Sequence, residues 1–147
     1  MANTLRELLR DQERQKYATQ AGLGMHKKLR SIKEIKDFSK VDYELVKAVE
    51  SHPELSMFFC KNVKTEVPVA AIINGNFLSR RIDRMVVDND KKEIYIMDYK
   101  TDTDKDVFRP KYVNQVQEYI SIMRAIYPNY DIVGYILWLH DWTLEKV

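Results

Sequence analysis

The sequence predicts an α/β fold in which helices flank a mixed β-sheet. Helical spacing of apolar residues occupies the first part of the chain, three β-rich segments separated by turn signals follow, and an amphipathic helix then precedes a last apolar strand. The chain has 147 residues, of which 45% are hydrophobic and 31% are charged, a composition typical of a single globular domain. We therefore expect residues 1–147 to form one domain, with the order helices, three strands, helix, strand.

Helices are predicted for the N-terminal part of the chain. Apolar residues with helical spacing occur in residues 1–32, where two glycines indicate either two helices or one broken helix. A further helix is expected over Val41–Val49. Pro53, which suits a first helical position, should begin a short helix that ends near Phe59.

Three strands are predicted next. Glu66–Ile73 is rich in β-branched residues, and the Asn74-Gly75-Asn76 segment favours a hairpin turn. Phe77–Val87 would be the returning strand. After a second polar turn, Glu93–Lys100 would be the third strand.

The last part of the chain returns to helical spacing. We expect a polar loop over Thr101–Pro110, a helix from Pro110 to about Tyr127 and a final strand over Ile132–Leu139.

Composition excludes several classes of protein. The net charge of +2 does not indicate a strongly basic nucleic-acid-binding protein, although an acidic metal site could offset basic residues elsewhere. Cys60 is the only cysteine, which excludes an internal disulfide and a cysteine cluster for zinc or iron–sulfur binding. The sequence has neither an apolar run long enough to span a membrane nor a signal peptide, so we expect a cytoplasmic protein without membrane association.

The third strand ends unusually. Alternation places Ile94, Ile96, Asp98 and Lys100 on one face and Tyr95, Met97 and Tyr99 on the other. A strand that begins apolar on both faces is expected to be buried, and a buried carboxylate without a partner is costly. Either the strand reaches water at its end, or Asp98 and Lys100 have a function.

Asp83 favours the second interpretation. It interrupts another apolar strand, and antiparallel pairing can bring it to the same end of the sheet as Asp98. Two neighbouring carboxylates repel each other, and a divalent cation relieves that repulsion. Oxygen ligands favour Mg²⁺ or Mn²⁺, and Lys100 would help to deprotonate water or stabilise charge on a phosphate.

These residues form part of a longer ordered pattern. It comprises Gly22-x-x-x-His26, Glu66, Ile82-Asp83-Arg84, Asp98-Tyr99-Lys100-Thr101 and Gln115-x-x-x-Tyr119. In this order and spacing the chain resembles the PD-(D/E)XK nuclease superfamily, in particular the nuclease domains of RecB- and AddA-type helicase-nucleases. The resemblance covers about residues 20–139. It implies a restriction-endonuclease-like core with a central mixed β-sheet.

The resemblance also implies roles for individual residues. Asp83, Asp98, the backbone carbonyl of Tyr99 and His26 would be metal ligands, and Lys100 would be the catalytic lysine. Glu66 corresponds to an acidic position near the metal or its water. Gln115 and Tyr119, four residues apart on one helix face, would contact DNA or support the metal ligands.

One position departs from the family pattern. The family usually has glycine where this chain has Arg80, so Arg80 would either crowd the site or contact a phosphate. Arg81 and Arg84 are interpreted as a solvated basic face, with phosphate contact as the alternative.

The sequence thus predicts a Mg²⁺- or Mn²⁺-dependent deoxyribonuclease, most simply an exonuclease of DNA repair and recombination. The resemblance implies a helicase partner, in the same chain or in another one, and a C-terminal position in any larger protein. The alternative is a nuclease-like module that binds DNA or protein without cutting. A Cas4-like enzyme with an iron–sulfur cluster is excluded because Cys60 is alone.

Overall fold

The computed structural model describes residues 29–34 and 43–147. The helices are α1 (Tyr43–Ser51), α2 (Pro53–Ser56) and α3 (Lys105–Ile126), and the strands are β1 (Lys64–Ile73), β2 (Asn76–Asp88), β3 (Glu93–Lys100), β4 (Asp131–Trp138) and β5 (Thr143–Lys146). Residues 29–31 are also helical. The predicted helices of residues 1–28 lie outside the described residues.

The strands form one open mixed sheet in the order β1-β2-β3-β4-β5. Only β3 and β4 pair in parallel, and α3 connects them, as a parallel pair requires. The predicted α/β class, with helices flanking a mixed sheet, is confirmed. No helix of the described part is long and apolar enough to cross a membrane.

The hairpin between β1 and β2 follows from its turn residues. Asn74 and Gly75 both adopt positive φ, +50° and +80°, which a two-residue type I′ turn requires and which asparagine and glycine tolerate best. Ile73 pairs with Asn76 across this turn. The turn therefore fixes which residues of β2 pair with which residues of β1.

The sheet is covered on both faces. On one face Ile82, Ile94 and Ile96 pack with α3 residues, including Val116 and Ile120. On the other face the core consists of Met97, Tyr99 and residues of the N-terminal helices and β4; it includes Leu29, Leu45, Val49, Leu55, Phe58, Tyr135 and Leu137. The prediction that β3 is buried on both faces is confirmed.

The predicted start of α3 was wrong. The loop ends at Asp104, and Pro110 lies inside the helix instead of at its start. Asp104 caps the helix by accepting a hydrogen bond from the Val107 N–H, 3.4 Å away. Lys105, which binds Asp141 at 2.7 Å, holds the first turn against the end of the sheet. These contacts stabilise about one and a half helical turns before the proline, which costs one backbone hydrogen bond.

Two further expectations needed correction. The short helix at Pro53 ends at Ser56 instead of near Phe59. Strand β5 was missed, so the element order has a fifth strand that pairs antiparallel with β4. Trp142 adopts φ +56° in the connecting turn, and the Asp141 carboxylate accepts a hydrogen bond from the Thr143 N–H at 3.1 Å. A four-residue strand after such a turn has too little periodicity to be predicted.

Candidate active site

Asp83 and Asp98 lie opposite each other on neighbouring strands. Arg84 pairs with Met97 in the β2–β3 register, and one further step along the same register places Asp83 across from Asp98. Both residues are buried, with 7% and 3% of their surface exposed. The structure therefore brings together the two carboxylates that the sequence singled out, and it does so away from bulk water.

The strands are irregular at this point. Ile82 and Met85 both pack into the core beneath α3, although three residues of regular strand would send them to opposite faces. In β1, Thr65 pairs with Arg84 and Val67 with Ile82. This leaves Glu66, with φ +52°, across from Asp83. Alternation from Met85 and Ile96 already places Asp83 and Asp98 on the face beneath α3, so it is Ile82 that departs from regular alternation.

The environment of Asp83 opposes its ionisation. Burial, the charge of Asp98 and a hydrogen bond with the Asp98 carboxylate raise the pKa of Asp83 to about 8. The Tyr99 N–H donates a hydrogen bond to Asp83 Oδ2 at 2.8 Å. This hydrogen bond and the charge of Lys100 lower the pKa of Asp83, but their effect is smaller. At neutral pH, without a cation, Asp83 therefore retains a proton.

Asp98 has an incompletely satisfied oxygen. Lys100 Nζ lies 2.9 Å from Asp98 Oδ2 as an ion pair, but this buried oxygen accepts no hydrogen bond from any described residue. Buried polar atoms without hydrogen bonds are rare in proteins and cost stability. An oxygen of this kind, on a carboxylate that interacts with a second one, suits coordination of a cation.

Lys100 connects the carboxylates to α3. Its ammonium group donates a hydrogen bond to Gln115 Oε1 at 2.9 Å, and Gln115 Nε2 donates to the Tyr119 hydroxyl at 2.7 Å. Burial and the nearby charges of Asp98 and Asp83 raise the pKa of Tyr119, so its phenol stays neutral. The predicted pair on α3 thus lies at the site, linked in one chain of hydrogen bonds.

The predicted site residues also include Glu66, Tyr99 and His26. Glu66 approaches Arg81, 3.9 Å away, and does not complete a group of three ligands with the aspartates. The Tyr99 side chain lies on the opposite face of the sheet, as strand alternation predicted, and its N–H donates a hydrogen bond to Asp83. His26 lies outside the described residues.

Arg84 corrects a prediction. It was interpreted as part of a solvated basic face, but its side chain is fully buried. Its guanidinium group donates hydrogen bonds to four backbone carbonyls and to the Tyr99 hydroxyl; the carbonyls belong to Leu29, Ile32, Lys33 and Phe58. Arg84 therefore fastens residues 29–33 to the back of the strand that carries Asp83.

Arg80 neither crowds the aspartates nor presents a free guanidinium group. Its Nε lies 2.9 Å from Glu118 Oε2, and NH2 lies 3.3 Å from Glu118 Oε1. The hydrogen bond and the charge of Glu118 raise the pKa of Arg80. The arginine at the usual glycine position is thus a link between β2 and α3.

Sequence reasoning missed the aromatic environment of Lys100. Tyr112, for which the sequence predicted only a place in the helix from Pro110 to about Tyr127, has its ring centre 4.3 Å from Lys100 Nζ. Its hydroxyl donates a hydrogen bond to Asp102. Burial, with this hydrogen bond, raises the pKa of Tyr112. Helical spacing from Gln115 was the available signal, since residues three apart share a helix face.

The site fits a small divalent cation that needs only two carboxylate side chains as ligands. Among described residues, no three histidine, cysteine, aspartate or glutamate side chains cluster closely enough to hold a metal ion. Mg²⁺, however, is commonly bound by one or two carboxylates and keeps several waters. Asp83 and Asp98 meet that requirement, and the unsatisfied Asp98 oxygen agrees with it.

Comparison with known proteins adds no identification, because neither a protein-family model nor a curated protein matches the chain.

Proposed function

We propose that this protein is a divalent-metal-dependent nuclease that hydrolyses DNA phosphodiester bonds, with a restriction-endonuclease-like core. The observation that carries the proposal is the buried pair Asp83 and Asp98, with one carboxylate oxygen lacking a hydrogen bond from any described residue and with Lys100 beside it. A buried acidic pair of this kind destabilises a fold, so its presence is best explained by a ligand that uses it.

The residues of this site suit phosphoryl chemistry. Bound Mg²⁺ or Mn²⁺ would supply positive charge to the scissile phosphate and to the attacking water. Asp83 and Asp98 would hold that cation. The Lys100 ammonium group, kept in place by Gln115, would stabilise the negative charge that develops on the phosphate oxygens.

The supporting residues act through Lys100. The neutral Tyr119 hydroxyl accepts a hydrogen bond from the Gln115 amide and holds it in position. The Gln115 amide in turn holds the Lys100 ammonium group. Such preorganisation matters because a displacement of about 1 Å can cost on the order of 100-fold in rate. His26 and the Tyr99 carbonyl remain proposed additional ligands, from the family resemblance.

Biological context is part of the same proposal. The resemblance to RecB- and AddA-type nuclease domains leads us to propose exonuclease activity in DNA repair or recombination, together with a helicase module in this chain or a partner chain. Polarity and strand preference are outcomes of the assay described next.

The direct experiment measures cleavage of end-labelled linear and circular DNA, single- and double-stranded, with Mg²⁺, Mn²⁺ or EDTA. We expect metal-dependent cleavage by the wild type and none by Asp98→Ala or Lys100→Ala. Asp90→Ala and Lys91→Ala, exposed at the turn at the other end of the same two strands, are matched controls that should cleave normally. Normal cleavage by either active-site variant would refute the assignment.

The alternative function is a nuclease-like module that binds without cutting. The observation in its favour is that the described residues contain no three-ligand metal group. Calorimetry with Mn²⁺ distinguishes the two, because the proposed site should bind the ion and Asp83→Asn should abolish that binding. A wild type that binds DNA but neither binds Mn²⁺ nor cleaves DNA would establish the alternative.

A further inference from the structure

The first two turns of α3 carry an aromatic surface beside the candidate active site. The Phe108 and Tyr112 rings are nearly parallel, at 16°, with their centres 6.0 Å apart. Tyr112 in turn lies 4.3 Å from Lys100 Nζ. Together these distances place the Phe108 ring within roughly 10 Å of Lys100, about three nucleotides at the ~3.4 Å rise of a B-form strand and fewer in an extended single strand.

Phe108 is exposed, whereas the next rings of its cluster are the half-buried Tyr112 and the buried Trp138. Its exposed fraction is 36%, and the neighbouring Val107 is 66% exposed. Of the other exposed large apolar residues in the described part, Tyr43 lies at the start of α1, Ile72 and Phe77 lie near the β1–β2 turn, and Ile126 and Tyr127 lie at the far end of α3. Phe108 alone among them is connected by ring contacts to Lys100.

The surface beneath Phe108 is held rigidly. Tyr112 contacts the buried Trp138, with ring centres 5.9 Å apart, and its hydroxyl binds Asp102. The helix turn is anchored to the β4–β5 hairpin by ion pairs of Lys105 with Asp141 and of Arg109 with Glu145. An aromatic ring on such support loses little conformational entropy when a ligand stacks on it.

The charged residues at the start of α3 would not by themselves bind a ligand next to Phe108. Asp102, Asp104 and Asp106 accompany the basic residues at the start of α3, and Lys105 and Arg109 are already paired. Lys111 is exposed one helical turn after Phe108 and makes no ion pair within the described residues. A ligand here would need an aromatic or apolar face for Phe108, with a phosphate near Lys100 or Lys111.

We propose that Phe108 is a stacking platform for an unpaired nucleobase within about three nucleotides of the scissile phosphate. The inference rests on the proposed nuclease function. A paired base in a duplex has both faces covered by its neighbours, whereas a base in a single strand offers a face to an aromatic side chain. Phe108 is thus a specificity-determining residue, and Tyr112 is the positioning residue behind it.

The test is equilibrium binding in EDTA, measured by fluorescence anisotropy, so that cleavage plays no part. The probes are a labelled oligothymidylate and the same oligonucleotide with its central residues made abasic, which removes bases but keeps every phosphate. The wild type should bind the oligothymidylate about 5- to 150-fold more tightly, the equivalent of ~1–3 kcal/mol for one stacked base.

The variants separate stacking from folding. Phe108→Leu keeps an apolar side chain but has no aromatic face, so it should bind both probes equally. Phe108→Trp should keep or increase the preference. Tyr127→Ala is the matched control, because Tyr127 is equally exposed but lies roughly 30 Å away along the helix; it should bind like the wild type.

Each outcome has a distinct meaning. A wild type without preference for intact bases, or a Phe108→Leu variant that retains it, overturns the platform. Absence of binding to either probe also overturns it and leaves a protein partner as the ligand of this surface. A preserved preference without metal-dependent cleavage overturns the proposed nuclease function alone, whereas cleavage without the preference overturns the platform alone.

Discussion

Asp83→Asn should remove a pH dependence of stability that the wild type shows in the absence of metal. The substitution replaces the carboxyl group by a neutral amide of the same shape. The amide oxygen introduced at this position can still accept the hydrogen bond that the Tyr99 N–H donates to Asp83 Oδ2 in the wild type. The variant therefore changes the charge of the site while retaining its backbone contact.

The magnitude follows from the pKa of Asp83. Burial and Asp98 raise it from 3.8 to about 8 in the folded state. Below pH ~4 the carboxyl group is protonated in both states and costs nothing. Between pH ~4 and ~8 the unfolded chain ionises while the folded protein retains its proton, so the free energy of unfolding falls. At ~1.36 kcal/mol per pKa unit, the full loss is on the order of 5 kcal/mol at pH 8 and above.

The assay is urea unfolding in EDTA at one-unit steps from pH 4 to pH 9, with wild type, Asp83→Asn and the exposed control Asp90→Asn. Groups remote from the pair contribute equally to all three proteins, so the difference between wild type and Asp83→Asn reports the coupled titration of Asp83 with Asp98. This difference in the free energy of unfolding should grow steadily up to pH ~8 and then level off. Mg²⁺ added at pH 8 should restore stability to the wild type only. Parallel curves for wild type and Asp83→Asn would refute the reasoning.

Three other substitutions test the framework of the site. Arg84→Met should lower the free energy of unfolding by about 3–5 kcal/mol, since three buried carbonyls and one half-buried carbonyl lose their donor; an unchanged urea midpoint would contradict this. Arg80→Ala should leave DNA cleavage unchanged because its guanidinium group is bound to Glu118, and a loss as large as that of Lys100→Ala would show direct phosphate contact. Gly134→Ala should cost about 1–3 kcal/mol in urea unfolding, because the added Cβ would lie 2.5 Å from a Val116 methyl carbon; a more stable variant would show that α3 can move outward freely.

The sequence predicted best where local signals agree with tertiary structure. Strand Glu93–Lys100 was predicted with its observed bounds, because apolar residues on both faces exclude a helical period. The hairpin at Asn74-Gly75 followed from the only short turn that suits its residues. Once both strands were placed, antiparallel pairing made the meeting of Asp83 and Asp98 predictable from register alone.

Prediction was wrong where distant residues decide the outcome. The start of α3 depends on Asp141 and Glu145, more than thirty residues away, so Pro110 alone gave a false boundary. Burial of Arg84 depends on carbonyls of residues 29–33 and Phe58, which no local pattern reveals. The aromatic surface at Phe108 was missed for the same reason as the helix start, because residues assigned to a loop have no common face.

Buried polar groups in this structure separate into a structural and a functional kind. Asp83, Arg84 and Asp98 are the buried charged residues of the described chain. Arg84, although an isolated buried charge, makes hydrogen bonds with five acceptors, as expected of a group selected for stability. The carboxylates of Asp83 and Asp98, in contrast, repel each other when both are charged, and Asp98 Oδ2 lacks a hydrogen bond within the described residues. A chain that can fully satisfy a buried guanidinium group could also have neutral residues at positions 83 and 98. The stability that the Asp83–Asp98 pair costs is therefore best explained by a ligand that the pair binds. Stability measured with and without Mg²⁺ is the most direct measure of that function.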